Sequence, residues 1–116
     1  MKVAMIDFDG TITLKNDFPN IGELRPGALE GIKALQENGW TCCLWTCRHG
    51  EYLEMAKNFL ESHGVVMDGY NTSPYDGRFP GARKPIADIY IDDSAFPVKL
   101  NKDMLDWNLI VKCLTS

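Results

Sequence analysis

Four aspartates follow two short apolar runs near opposite ends of the chain. Asp7 and Asp9 come after residues 3–6, and Asp92 and Asp93 end the second run. If the two runs form neighbouring strands, the four carboxylates converge, and their repulsion favours a hard cation with oxygen ligands, such as magnesium. An isolated Asp-Gly or Asp-Asp pair is more typical of a turn or an exposed strand end. Because two such pairs occur after apolar runs, the sequence predicts a magnesium site made of all four aspartates.

Other polar residues could complete a site for a phosphoryl group. Thr46 follows a third apolar stretch. Lys84 lies in a turn-rich, locally basic segment, residues 71–85, here called the basic loop. A hydroxyl and an ammonium group can hold phosphoryl oxygens, and the backbone N–H groups around Gly10 and Thr11 are further candidate donors. Each also has a plainer interpretation, since threonine is common in strands and lysine is common on surfaces.

These residues occur in a recognisable order. The chain resembles the haloacid dehalogenase superfamily of phosphohydrolases in four successive motifs: Asp7-Phe8-Asp9-Gly10-Thr11, Thr46, Lys84, and the apolar run that ends in Asp92-Asp93. The resemblance implies a Rossmann-like sheet, dependence on magnesium, and an aspartyl-phosphate intermediate.

The same resemblance implies a role for each residue. Asp7 resembles the nucleophile, and Asp9 resembles the general acid that later acts as base. Thr46 and Lys84 resemble the phosphate-holding residues, while Asp93 resembles the metal-binding carboxylate with Asp92 in support. The second aspartate favours hydrolysis of a phosphoester, because such a leaving group needs a proton and the later hydrolysis needs an activated water.

The elements that must position these residues alternate between strand and helix. Strands are predicted over 3–6, 40–45, 65–67 and 86–91, and helices over 26–37, 51–62 and 106–114, with a further helical turn near Lys84. Asn38-Gly39 is expected to end the first helix, and Asp106 to cap the last. Alternation of this kind predicts an α/β fold with a doubly wound, mainly parallel sheet, in which ligands bind at the carboxyl ends of the strands.

Length and composition indicate one domain over residues 1–116, with 45% hydrophobic residues available for a core. The net charge of −4 provides no broad basic surface for duplex nucleic acid. No apolar run reaches the roughly 18 residues of a membrane span and no signal peptide is readable, so the cytoplasm is the expected location. The four cysteines lack the spacing of a disulfide framework or a zinc site.

The segments between the motifs are too short for the cap domains that the superfamily places there, so the chain is expected to be capless. An open site would be covered by a large substrate, by residues 14–24 or 71–83, or by a second copy of the chain. Specificity is then expected from Arg48, Arg78 and Arg83. Arg48 could equally form a salt bridge on the following helix, and the arginines of the basic loop could equally serve solubility.

The leading hypothesis is a magnesium-dependent phosphomonoester hydrolase. Its substrate is expected to be a phosphorylated small molecule or an exposed phosphoester on a macromolecule. One alternative is a phosphoacceptor signalling domain of the receiver type, although receivers carry their paired acids early and their acceptor aspartate later. The other is a catalytically idle phosphate-binding regulatory subunit, which the full set of motif residues argues against.

Overall fold

The computed structural model describes the backbone of residues 1–116 and every side chain except that of Lys102. Four strands and three α-helices follow one another along the chain: β1 (Lys2–Ile6), α1 (Ala28–Glu37), β2 (Trp40–Leu44), α2 (Gly50–Ser62), β3 (Gly69–Tyr70), β4 (Ile89–Ile91) and α3 (Trp107–Leu114). A turn of 3₁₀ helix spans Lys102–Met104.

The strands form one parallel sheet in the order β3-β2-β1-β4. Ile6 at the end of β1 pairs with Leu44 of β2 on one side and with Ile91 of β4 on the other. The carboxyl ends of β2, β1 and β4 are therefore level, and the residues that follow them lie along the same carboxyl edge of the sheet. The predicted α/β fold is confirmed. The first and last strands are neighbours, which is the condition on which convergence of the aspartates depended.

The central strand β1 is buried on both faces. Ala4 and Ile6 belong to the main core, together with the inward face of α1, while Val3 and Met5 pack with Cys43 on the other side. Since successive side chains of a strand point to opposite faces, an uninterrupted apolar run is what a doubly covered strand requires.

The last helix is joined to the loop after β1. Asp106 caps α3 by accepting from the N–H groups of Asn108 and Leu109, as predicted. The buried indole of Trp107 donates to the carbonyl of Thr11 at 3.0 Å. Close packing against α1 needs Gly31, because a Cβ there would lie 2.9 Å from the ring of Trp107.

Several predicted boundaries are wrong, because side chains replace ladder hydrogen bonds. Pairing of the third strand with β2 begins only near Asp68, whose carboxylate accepts from the N–H of Cys42, so residues 65–67 form no strand. Before β4, Asp88 likewise accepts from the N–H of Val3. The strand predicted over 86–91 is therefore shorter, and no helical turn forms near Lys84.

The first helix begins later than predicted. Its N-cap is Gly27 with φ +79°, so Pro26 lies outside the helix. The predicted end is confirmed, with Asn38 as C-cap and Gly39 at φ +89°.

All four cysteines are free thiols. Among the described residues, no helix combines the length and the apolar character that crossing a membrane requires.

Candidate active site

Three of the four predicted aspartates form a compact cluster at the carboxyl edge of the sheet. Asp7, Asp92 and Asp93 each place a carboxylate oxygen within 4.8 Å of the others. The buried hydroxyl of Thr11 lies 3.0 Å from Asp7 Oδ2 and 3.3 Å from Asp93 Oδ1, and it accepts from the N–H of Asp93. Three oxygens at this spacing form a donor set that could hold a hard cation.

The cluster perturbs the acidity of Asp7. The pKa of Asp7 is raised from 3.8 to about 7, chiefly by burial and in addition by the negative charges of Asp92 and Asp93, while the hydrogen bond from Thr11 opposes the rise. A carboxyl group in this environment is stabilised as a carboxylate by any cation bound beside it.

The loop after β1 brings its backbone against Asp93. Gly10 adopts φ +88°, and a Cβ at this position would lie 2.5 Å from Asp93 Oδ2. Glycine is thus required both by the left-handed conformation and by the close approach of the carboxylate.

The N–H groups of this loop have partners within the chain. That of Gly10 donates to Thr13 Oγ1 at 2.9 Å, and that of Thr11 donates to the carbonyl of Phe8 at 3.2 Å. To donate to a phosphoryl group as predicted, these two groups would have to give up these partners. Gly10 and Thr11 instead shape the carboxylate cluster.

Asp9 stands apart from the other three aspartates. Its two carboxylate oxygens accept from Nε and from an Nη atom of Arg48, each at 2.8 Å. The structure does not bring the Asp9 carboxylate into the cluster as predicted, because the guanidinium of Arg48 takes the place of a cation beside it.

Arg48 is 1% exposed and has an acceptor for each of its five N–H groups. Besides Asp9, the acceptors are the carbonyls of Pro19, Asn20 and Tyr52. The rings of Phe8 and Phe18 lie on the guanidinium, with centroids at 5.2 and 5.1 Å. The predicted substrate contact of Arg48 would require it to give up one of these bonds.

The aspartates open into a cleft of about 550 Å³. Thr46 lines it, as predicted, and its hydroxyl accepts from the N–H of Arg48 at 3.1 Å. That bond uses an oxygen lone pair and leaves the hydroxyl proton for an acceptor in the cleft. The remaining lining residues are Asp7, Asp9, Asn16, Phe18, Cys47, Arg48, Asp92, Asp93, Ser94 and Lys99.

The structure does not bring Lys84 to this cleft. Its ammonium lies 5.0 Å from the ring centroid of Tyr90, and it lines a separate depression together with Arg83. The guanidinium of Arg78 lies on the ring of Tyr75 at 4.8 Å. The basic loop is thus separate from the aspartates, and Lys99 is the lysine that lines their cleft.

Sequence reasoning missed several contributors. Asn71 adopts φ +57°, accepts from the N–H of Thr46, and donates to the carbonyl of Arg48. Asparagine tolerates this left-handed conformation, so its place in a turn-rich segment was an available signal. Lys99 and Phe18 had none, because only the folded chain brings them to the cleft.

Fold and site together define an α/β protein with a Rossmann-like parallel sheet and a carboxylate cluster, suited to a cation, at the carboxyl edge of that sheet. Among solved structures, a protein from Bacteroides thetaiotaomicron described as a conserved protein is 31% identical, with a TM-score of 0.81, over 97% of this chain and 88% of its own. The chain belongs to the family of that protein.

A second solved structure matches more loosely. It is D,D-heptose 1,7-bisphosphate phosphatase from B. bronchiseptica, complexed with magnesium and phosphate, at 25% identity and a TM-score of 0.48 over 66% of this chain and 54% of its own. At that TM-score the match supports no conclusion about this chain. No protein-family model and no curated protein matches the sequence.

Proposed function

We propose that the protein is a magnesium-dependent phosphomonoester hydrolase of the haloacid dehalogenase type. The observation that carries the proposal is the placement of Asp7 beside Asp92 and Asp93 in a cleft that Asp9 and Thr46 also line. These are the side chains, Lys84 excepted, that the sequence motifs assign to aspartyl-phosphate chemistry.

The three clustered carboxylates fit a magnesium ion, because all their ligand atoms are hard oxygens. Asp7, Asp92 and Asp93 would hold it, and when bound it supplies positive charge that balances both the carboxylates and the phosphoryl oxygens. The raised pKa of Asp7 is consistent with a nucleophile that needs such charge to be fully ionised near neutral pH.

The reaction then has two steps. In the first, a carboxylate oxygen of Asp7 attacks phosphorus, the ester P–O bond breaks, and Asp9 gives a proton to the leaving oxygen. In the second, water attacks the phosphorus of the aspartyl phosphate and gives its proton to Asp9. Inorganic phosphate leaves, and Asp7 is restored as a carboxylate.

Two side chains are available to hold the transferred group. The hydroxyl of Thr46 can donate to a phosphoryl oxygen, and the ammonium of Lys99 can contribute charge from the wall of the cleft. The cleft is open, so its substrate is a phosphorylated small molecule or a phosphoester exposed on a larger molecule, with a second copy of the chain as a candidate cover.

Release of inorganic phosphate from p-nitrophenyl phosphate and phenyl phosphate tests the proposal. We expect repeated turnover with magnesium and none after chelation, which also separates an enzyme from a receiver or an idle subunit. Asp7→Asn should abolish both turnover and an acid-stable, alkali-labile phosphoenzyme. Turnover that survives exhaustive chelation, or equal phosphoenzyme in Asp7→Asn and wild type, would contradict the mechanism.

A further inference from the structure

The buried guanidinium of Arg48 joins two parts of the site that are distant in sequence. Two of its N–H groups donate to the oxygens of Asp9, and two others donate to the carbonyls of Pro19 and Asn20. The loop of residues 14–24, here called the front loop, is therefore connected through one side chain to the proposed acid-base residue.

The other hydrogen-bonded anchors of the front loop lie at its base. Thr13 and Leu24 form an antiparallel bridge, and Arg25 donates to the carbonyls of Gly10 and Leu14. Two hydrogen bonds nearer the tip stay within the loop, from the N–H of Phe18 to Asn16 Oδ1 and from the N–H of Asn20 to the carbonyl of Asp17. The hydrogen-bonded link from the tip to the body of the protein thus depends on Arg48. It is aided by the contact of the Phe18 and Tyr52 rings at 5.1 Å and by Ile21, which packs against the main core.

The tip of the front loop forms part of the cleft. Asn16 and Phe18 line it together with Asp7 and Asp9, and the ring of Phe18 is half exposed. A group bound at the aspartates would meet this wall, and not the basic loop that carries Arg78 and Arg83. The position of the wall and the position of Asp9 depend on the same guanidinium.

We propose that Arg48 is a positioning residue that holds Asp9 and the front loop in one arrangement, so that the loop serves as the substrate-facing wall of the site. This proposal rests on the proposed function for the role of Asp9. Each oxygen of Asp9 keeps a second lone pair while it accepts from Arg48, so the carboxyl can carry the transferred proton without leaving the guanidinium. Arg48 itself has no donor left for substrate.

Two aryl esters that differ only by a para nitro group report the position of Asp9. Phenol is a much weaker acid than p-nitrophenol, so phenyl phosphate depends more on proton donation, while both rings meet the same wall. We expect Arg48→Lys, which keeps the charge but cannot reach five acceptors, to lower kcat/KM for phenyl phosphate roughly tenfold more than for p-nitrophenyl phosphate. Amide hydrogen exchange over residues 16–21 should rise in the same variant.

Arg25→Lys is the matched control, because Arg25 anchors the base of the front loop and does not donate to Asp9. It should speed exchange near residues 13–15 and leave the ratio of the two esters unchanged. Equal loss on both esters in Arg48→Lys, or unchanged exchange at the tip, would overturn the proposal. If Arg48→Lys does not fold, Phe18→Leu loosens the same link from the loop side, and an unchanged ester ratio there would overturn it.

The two proposals fail in different ways. If wild-type protein with magnesium hydrolyses neither ester, the phosphatase function is wrong, and faster exchange at residues 16–21 in Arg48→Lys still supports the structural link. If wild type turns over both esters and Arg48→Lys changes neither their ratio nor the exchange, the function stands and the positioning role is refuted.

Discussion

At the scale of single residues, the two aspartates of the first motif have opposite electrostatic surroundings. Asp7 faces two further carboxylates, and burial together with their charges raises its pKa to about 7. Asp9 instead accepts two hydrogen bonds from a buried guanidinium. One residue of separation along the chain thus places one carboxylate in a cluster that favours a cation and the other in an internal ion pair.

Asp9→Asn should therefore destabilise the protein. The change leaves Arg48 as a buried charge without its carboxylate, and removing one partner of such a pair costs about 3 kcal/mol. Urea unfolding of the metal-free protein measures the loss, with Asp17→Asn in the exposed front loop as the control that should change little. A gain in stability for Asp9→Asn would mean that Asp9 belongs to the repelling cluster after all.

The two lysines give a second test at this scale. Because Lys99 lines the cleft and Lys84 lies on Tyr90, Lys99→Ala should lower kcat/KM for p-nitrophenyl phosphate by about tenfold, as the loss of one charged hydrogen bond would. Lys84→Ala should stay close to wild type. A larger loss of kcat/KM in Lys84→Ala than in Lys99→Ala would indicate that the basic loop moves to the aspartates when substrate binds. Lys84 would then have the phosphate-holding role that the sequence motif assigns to it.

At the scale of elements, the loop after β1 depends on a glycine that no other residue can replace without strain. Gly10→Ala should cost about 2 kcal/mol, because the added Cβ meets the left-handed penalty and also the buried carboxylate of Asp93. Gly39→Ala measures the cost of the left-handed conformation alone, since Gly39 has φ +89° and a Cβ there would have no heavy atom within 4 Å. Chemical denaturation of both variants should show the larger loss at Gly10, accompanied by weaker magnesium binding there. Equal losses would mean that Asp93 does not press against this loop.

Elements were predictable where local chemistry decides them. The apolar run of β1, the Asn38-Gly39 end of α1 and the Asp106 cap of α3 all lie close to their predicted places, because burial and capping leave a local pattern. The parallel direction of the strands followed from the alternation of strand and helix, whereas their order β3-β2-β1-β4 comes from the structure. With it came the shared edge that brings Asp7 near Asp92 and Asp93.

Contacts between distant segments were not predictable in this way. That Arg48 reaches Asp9 and the carbonyls of the front loop, or that Lys99 and not Lys84 lines the cleft, depends on the path of loops with no periodicity. The short strand β3 was predicted too early in the chain for a related reason. The N–H of Cys42 donates to the side chain of Asp68, and this single bond decides where pairing begins.

At the scale of the whole molecule, the carboxylate cluster links stability to pH. The pKa of Asp7 is about 7 in the folded state against an ordinary value of 3.8. Between these values the folded protein keeps a proton that the unfolded chain has released, so the contribution of Asp7 to stability falls as pH rises from about 4 to about 7. Above that range both states are ionised, and the penalty is constant.

Thermal unfolding of the metal-free protein should reveal this penalty by comparison with Asp7→Asn, which resembles the protonated form. The two proteins should have similar Tm values near pH 4, where the penalty has not yet developed. At pH 8 the variant should be more stable, by about 4 °C for each kcal/mol of repulsion and burial cost removed.

Magnesium should make wild type the protein with the higher Tm at pH 8. It stabilises wild type through the ionised cluster, whereas Asp7→Asn offers it one carboxylate fewer.

Asp92→Asn removes the charge of Asp92 yet keeps an oxygen that can accept from the N–H of Ser94. Because that charge helps to raise the pKa of Asp7, the pKa of Asp7 should be lower in the variant, and the loss of stability should be complete at a lower pH. A Tm difference between wild type and Asp7→Asn that does not change between pH 5 and pH 8 would show that the carboxylates are not coupled.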